Sequence, residues 1–427
     1  MNLTSRETAM MFLNEISAEF PSAISLAAGR PTDRFFGRLS SRYLADALER
    51  YDGWATREGR GLGVNTPLLQ YGRTAGDIAE LIATQLCLDE GVAASSERTL
   101  ITSGCQEALA LCLPALCPNP GDVVLMRNPT YAGASGAARA NSVEIFPIPN
   151  ATDIVSGIEI SIEQLKRSGK RARALYLIPT FDNPTGELMD EPQRKAILSI
   201  CYRSSIVVLE DNPYGMFRYE GQAVRPMAAL DEVGCVIYLS TYSKTLAPAL
   251  RIGAATLPEK LFDNRAARSA LWQELVQRKS FLTLNTGQIA QAMVGGLLLE
   301  QNGSLQQWIQ PALAWYRSSR DAMLNELQKA FPAMSNELSW NHPSGGFFLA
   351  VDLPFRFEAH DVIECAVKHG VLVMPMSFFA QDDSQDYRVR LSFSGVDREK
   401  IQIGVRALAD YVAQRLGPTR MAGEAVH

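Results

Sequence analysis

From about Ala94 onward, short apolar runs alternate with stretches of helical spacing, the order that a parallel α/β sheet requires. Strands are expected at Asp122 to Met126, Val143 to Phe146, Ala174 to Ile178, Ile206 to Glu210, Val236 to Ser240 and Gly253 to Thr256. Helices are expected near Gly104 to Leu116, Tyr131 to Ala140, Ile162 to Arg167 and Pro192 to Arg203. Ile206-Val207-Val208-Leu209 is apolar at every position, as suits a strand covered on both faces. The pattern predicts one large doubly wound, mostly parallel α/β domain.

After Leu257 the periodicity lengthens into amphipathic helical segments at about Pro258 to Leu284 and Ser304 to Phe331. Beyond Pro343-Ser344-Gly345-Gly346 come a strand (Phe347 to Val351), a helix (Ala359 to His369), two short strands (Val371 to Met374, Tyr387 to Phe393) and a closing helix (Asp397 to Leu416). These read as a smaller α/β lobe. The expected division is an N-terminal segment over 1–60 packing on the small domain, a large domain over 61–300, a small C-terminal domain over 301–416 and a flexible tail over 417–427.

Composition narrows the chemistry. With 427 residues, 47% of them hydrophobic, the chain has ample material for two packed lobes. Lysine and arginine total 41 against 46 acidic residues, and no long run has one sign, so neither nucleic acid nor an anionic membrane is an expected partner. The seven cysteines are scattered without a C-x-x-C pair and read as reduced thiols in a cytoplasmic protein. The four histidines stand at no zinc-ligand spacing, so no metal site is expected. Met1 to Phe20 lacks the basic flank and apolar stretch of a signal peptide, and no apolar run approaches the roughly 20 residues of a membrane span.

Four short elements each follow a strand end. In Ser240-Thr241-Tyr242-Ser243-Lys244, with Arg251 seven residues on, a partly desolvated lysine adjoins hydroxyls and a forked cation suited to phosphate. Glu210-Asp211-Asn212-Pro213-Tyr214 sets a carboxylate and a phenol past a buried strand, where open α/β sheets bind ligands. Asn183-Pro184-Thr185-Gly186 is, by itself, an ordinary turn. Thr102-Ser103-Gly104-Cys105-Gln106 opens a helix whose amides suit an anion, although an N-cap serine without a ligand has the same pattern. Gly59, Gly61 and Gly63 follow no strand and read as loop glycines.

Together these residues supply the parts of a pocket for a phosphorylated, cationic aromatic aldehyde. Over roughly Ser25 to Leu416 the sequence resembles the fold type I pyridoxal-phosphate enzymes, specifically the class I and II aminotransferases. Leu69-Gln70-Tyr71-Gly72, Thr185-Gly186 and Arg390-Leu391-Ser392-Phe393-Ser394 look most like the branch of 2-aminoadipate and kynurenine aminotransferases. The resemblance implies pyridoxal 5′-phosphate as cofactor and ping-pong amino transfer between an L-amino acid and a 2-oxo acid through a Lys244 Schiff base. It implies that Asp211 holds the ring nitrogen protonated, that Asn183 and Tyr214 bond the ring oxygen, and that Tyr131 stacks on the ring. Ser103, Gly104, Cys105 and Gln106, with Thr241, Ser243 and Arg251, would surround the phosphate. Tyr71 resembles the tyrosine that reaches it from the neighbouring subunit, implying a homodimer with shared sites. Arg390 matches the arginine that takes the substrate carboxylate, with Arg388 two residues away on the same strand face as the other candidate, and Gly29 marks the segment that closes over the substrate beside Asn183.

Ala28 and Ala249 stand where the family usually has glycine, and Asp182 precedes Asn183 where a neutral or aromatic residue is commoner. An acidic Asp182 at the pocket would favour a basic substrate such as arginine; a solvent-facing turn is the other reading. The same lysine and aspartate would also serve an oxidase, decarboxylase or lyase, because the orientation of the scissile Cα bond selects among them. Transcriptional regulators with an aminotransferase-like domain carry a basic DNA-binding domain in front. Here the resemblance begins near Ser25, so none is expected.

Overall fold

A computed structural model describes residues 9–59, 67–149, 151–332 and 338–417. The tail expected beyond Gly417, and Gly61 and Gly63, lie outside the described residues. The chain opens with α1 (Ala9–Glu19), β1 (Ile24–Ser25) and α2 (Ser41–Arg57). Then come α3 (Ala79–Glu90), β2 (Thr99–Thr102), α4 (Cys105–Leu116), β3 (Asp122–Met126), α5 (Ala132–Ala140) and β4 (Glu144–Pro147). The alternation continues with α6 (Ile154–Arg167), β5 (Arg171–Leu177), α7 (Glu191–Arg203), β6 (Val207–Asp211), the short α8 (Met227–Leu230), β7 (Val236–Thr241) and β8 (Gly253–Thr256). Two helices, α9 (Arg265–Leu282) and α10 (Gln288–Glu300), precede the long α11 (Gln306–Ala330). The last segment holds β9 (Ser339–Trp340), β10 (Phe348–Asp352), α12 (Ala359–Glu364), β11 (Val371–Leu372), β12 (Met374–Pro375), β13 (Arg388–Ser392) and α13 (Arg398–Leu416).

Seven strands make the large sheet, in the order β2-β8-β7-β6-β5-β3-β4. The steps β7-β6-β5-β3-β4 are parallel, whereas β8 runs antiparallel to both its neighbours. Val207, Val208 and Leu209 are buried, and helices cover both faces. The carboxyl ends of β5, β6 and β7 therefore open on one edge, and the residues that follow them face a common crevice.

The smaller lobe is an antiparallel sheet, β12-β13-β10-β9, with Arg390 at its centre opposite Ala350 and Met374. The strand expected over Val371 to Met374 divides, because Val371 and Leu372 pair with Ile24 and Ser25 while Met374 joins β13. The helix that begins at Ala359 finishes as a π turn over Cys365–His369. Helix α11 bridges the lobes: Trp308 and Ile309 pack in the large-lobe core, Tyr316, Met323 and Leu327 in the small.

The N-terminal segment divides between the lobes. Phe12 packs on Phe378 of the small lobe at 4.9 Å between ring centroids, and the Ser392 N–H donates to the Leu26 carbonyl at 2.7 Å. Helix α2 instead packs on α10 of the large lobe. The contact is close enough that a Cβ at Gly296 would come within 1.9 Å of the Ala47 carbonyl oxygen, which accounts for glycine inside α10. The long helix expected from Pro258 starts only at Arg265, because Phe262 and Asp263 adopt positive φ and the Asn264 side chain caps α9 on the Ala267 N–H at 3.0 Å. Among the described residues no helix is long and apolar enough to cross a membrane.

Candidate active site

Strand ends and the N-terminal segment converge on a cavity of about 420 Å³ between the lobes. Its walls include Gly29, Cys105, Gln106, Tyr131, Asn183, Asp211, Tyr214, Thr241, Ser243, Lys244, Arg251 and Arg390. Each residue arrives by local geometry: Asp211 ends β6, Lys244 follows β7, Asn183 follows β5, and Cys105 and Gln106 begin α4.

Lys244 Nζ donates to the Gly29 carbonyl at 3.0 Å. Burial, helped by the neighbouring Arg390 and Arg251 cations, lowers its pKa to about 8, with Asp211 pulling the other way. Asp211 is buried, and burial raises its carboxyl to about 6. Its Oδ2 accepts from the Tyr176 hydroxyl at 2.8 Å, while its buried Oδ1 has no partner among the described residues. That oxygen is open to a donor from whatever fills the cavity.

On the opposite wall Arg390 is 2% exposed, and no carboxylate pairs with it among the described residues. Its Nη1 donates to Asn183 Oδ1 at 2.7 Å and its Nη2 to the Ala27 carbonyl at 2.6 Å, with the rings of Phe348 and Phe379 at 4.2 and 4.6 Å from the guanidinium carbon. Burial lowers its pKa to about 10. A desolvated guanidinium without a counter-ion costs several kcal/mol and fits a ligand carboxylate. Arg388, the other candidate, is paired with Asp352 at 2.7 Å and does not line the cavity.

At the start of α4, Gly104 has φ +76°, and a Cβ there would lie 2.5 Å from Arg251 Nη2. Arg251 Nη2 donates to the Ser103 carbonyl at 3.1 Å and Nη1 to Ser243 Oγ at 3.3 Å, while Thr241 Oγ1 lies 3.1 Å from Ser243 Oγ. The Ser103 and Gly104 amides are already donated, to Glu107 Oε2 at 2.5 Å and to the Thr102 carbonyl at 2.9 Å. These two residues, expected to contact the cofactor, thus shape the turn and leave the cavity wall to Cys105 and Gln106.

The family profile described as Aminotransferase class I and II matches residues 43–408. The (S)-3,5-dihydroxyphenylglycine transaminase of Amycolatopsis orientalis is 36% identical over 96% of this chain and 92% of its own. The 2-aminoadipate transaminase of Thermus thermophilus is 32% identical over 91% and 89%. Among solved structures, the kynurenine aminotransferase of Pyrococcus horikoshii superposes with a TM-score of 0.80 at 30% identity, covering 95% of this chain and 94% of that one. The chain belongs to the class I and II aminotransferases. Its fold is fold type I, and the family's cofactor is pyridoxal 5′-phosphate.

The aminotransferase cavity fits that cofactor on its own evidence. The orphaned Asp211 oxygen suits a cationic ring N–H, Tyr131 offers a ring face, and the α4 start with Thr241, Ser243 and Arg251 suits a phosphate. The sequence reading missed Tyr176, whose signal was a single hydroxyl-bearing aromatic in an otherwise aliphatic strand end, and Phe348 and Phe379, which carry no chemical signature. Asp182 is corrected. It is buried at 3%, accepts from the Thr185 hydroxyl at 2.8 Å inside its own turn, and does not line the cavity, so it offers nothing to a basic substrate. Tyr71 is 76% exposed and does not line the cavity.

In the cofactor-free chain, Lys244 should react with an amine-acylating reagent at a rate that rises with pH and is half-maximal at about 8. Peptide mass spectrometry against the exposed Lys166 checks this; a midpoint in the ordinary lysine range would contradict desolvation of the amine.

Proposed function

We propose that this aminotransferase moves the amino group of an L-amino acid to a 2-oxo acid in two half-reactions, with Lys244 as the group that carries the substrate Cα proton. The observation that carries the reading is the convergence of Lys244, Asp211 and the carboxylate-free Arg390 on one cavity. When bound, pyridoxal phosphate supplies an electron sink for the pair left on Cα. Lys244 would hold the cofactor's aldehyde carbon at rest and be released as a free amine by the incoming substrate amine. Its lowered pKa leaves it able to take a proton near neutral pH.

Asp211 would accept the ring N–H at Oδ1, with Tyr176 fixing Oδ2. Asn183 and Tyr214 would serve the ring oxygen, Tyr131 the ring face, and Cys105, Gln106, Thr241, Ser243 and Arg251 the phosphate. Arg390 would take the substrate α-carboxylate, the contact that distinguishes an amino acid from a simple amine. Gly29 would bring backbone close to the substrate: a Cβ there would strike the Phe348 ring at 2.2 Å, so only glycine leaves that approach open. The relatives named above are aminotransferases, which favours amino transfer over oxidation, decarboxylation or elimination.

The same reading makes the enzyme a homodimer. Leu69, Tyr71, Phe281 and Ile289 are exposed apolar side chains around the start of α10, and a Cβ at Gly72 would meet Gln288, which ties the two segments together. A second copy covering this face would bury them and let Tyr71 enter the neighbouring cavity.

With dihydroxyphenylglycine, 2-aminoadipate or kynurenine as donor and no acceptor, the holoenzyme should release about one 2-oxo acid per site and stop. Addition of a 2-oxo acid should restart it; continuous oxygen uptake or carbon dioxide release would overturn the reading. Mixing Lys244→Ala with Tyr71→Ala subunits should yield more activity than the two parents summed, since one site of each hybrid is intact. No gain on mixing, under conditions where subunits exchange, would mean that Tyr71 does not serve the partner's site.

A further inference from the structure

At the start of α4 lies an ion pair that does not line the cavity and reaches it only through the Ser103 turn. Glu107 is the third residue of α4 and is buried. Its Oε2 accepts the Ser103 N–H at 2.5 Å, and its Oε1 accepts from Lys279 Nζ at 2.9 Å and from the Thr283 hydroxyl at 2.5 Å. Lys279 is fully buried in α9 and spends its other two N–H groups on Thr283 Oγ1 at 3.2 Å and Thr286 Oγ1 at 3.0 Å. Thr286 in turn donates to the Ile101 carbonyl of β2 at 3.1 Å. The Ser103 peptide is thus held at both ends, its N–H by Glu107 and its carbonyl by Arg251.

This arrangement carries a conflict of sign. The first amides of a helix lack intrahelical acceptors and attract anions, and Cys105 and Gln106, which open α4, line the cavity. A buried carboxylate within the same turn repels the phosphate that those amides would bind, in a medium that screens poorly. The ammonium of Lys279, which does not line the cavity, offsets that charge at Glu107 Oε1. Burial lowers the Lys279 pKa, and the bond and charge of Glu107 oppose the fall.

We propose that Glu107 and Lys279 are a positioning pair for the phosphate subsite, Glu107 fixing the turn that presents the α4 amides and Lys279 neutralising the carboxylate so that a phosphate is accepted there. This rests on the reading above that this end of the cavity takes the cofactor phosphate.

The experiment compares equilibrium binding of pyridoxal phosphate and of pyridoxal to the full-length chain freed of cofactor. The wild type should prefer the phosphorylated form. Lys279→Met should cut that preference by about tenfold or more while leaving pyridoxal binding unchanged. Glu107→Gln should leave the preference intact or raise it, and the double variant should return most of what Lys279→Met loses. Equal weakening toward both ligands, or a double variant no better than Lys279→Met, would overturn the proposal as mere loss of structure. Should Lys279→Met fail to fold, a lowered preference in Glu107→Gln overturns it and a retained one in the double variant supports it. A wild type without the preference would overturn the phosphate reading itself, and the positioning role with it.

Discussion

Four cations, Arg30, Lys244, Arg251 and Arg390, line a cavity that has one carboxylate, Asp211. Positive charge held out of water is expensive, and the pKa values of Lys244 and Arg390 fall because of it. Under the proposed function such a site would be completed by anions from outside the chain, a phosphate at one end and a carboxylate at the other. The same excess charge that draws those ligands keeps the Lys244 amine near the point where it can exchange a proton. Binding and catalysis therefore share one electrostatic cause.

The scaffold gathers that charge at one place and buries the Arg390 part of it. Parallel strands buried on both faces deliver Asn183, Asp211 and Lys244 to one edge, while the small-lobe sheet delivers Arg390 from the opposite side. Residues 24–30 are stitched along β13 and β11, with Ser394 Oγ donating to the Arg30 carbonyl at 2.7 Å, so the N-terminal segment forms the cavity's third wall. Two glycines mark where backbone must approach closely: Gly29 under Phe348 and Gly104 beside Arg251.

Much of this was legible in the sequence because strongly apolar strands followed by polar turns carry a two-part signal. The run Val207 to Leu209 ending at Asp211, and the run from Val236 ending in Ser-Lys, announced both the sheet and the chemistry. Other parts were not. Strand β8 reads like its neighbours, since apolar composition does not encode direction. Helices α2 and α10 pack through Ala47 and Gly296, and an apolar helix with paired glycines shows little periodicity. Asp182, read as either a pocket residue or a solvent-facing turn, is neither, because a chain neighbour of a site residue can be buried in its own turn. The Glu107–Lys279 pair joins residues 172 positions apart, a relation that only the packing of α9 against α4 creates.

The central claim is that Lys244 sits where the cofactor's aldehyde carbon must lie. Reduction of the cofactor-bound protein with borohydride, followed by digestion and mass spectrometry, tests it directly. The account expects one pyridoxyl group per chain, on the peptide containing Lys244, and none after Lys244→Ala. A label on another lysine, or a Lys244→Ala chain labelled as well as the wild type, would contradict it.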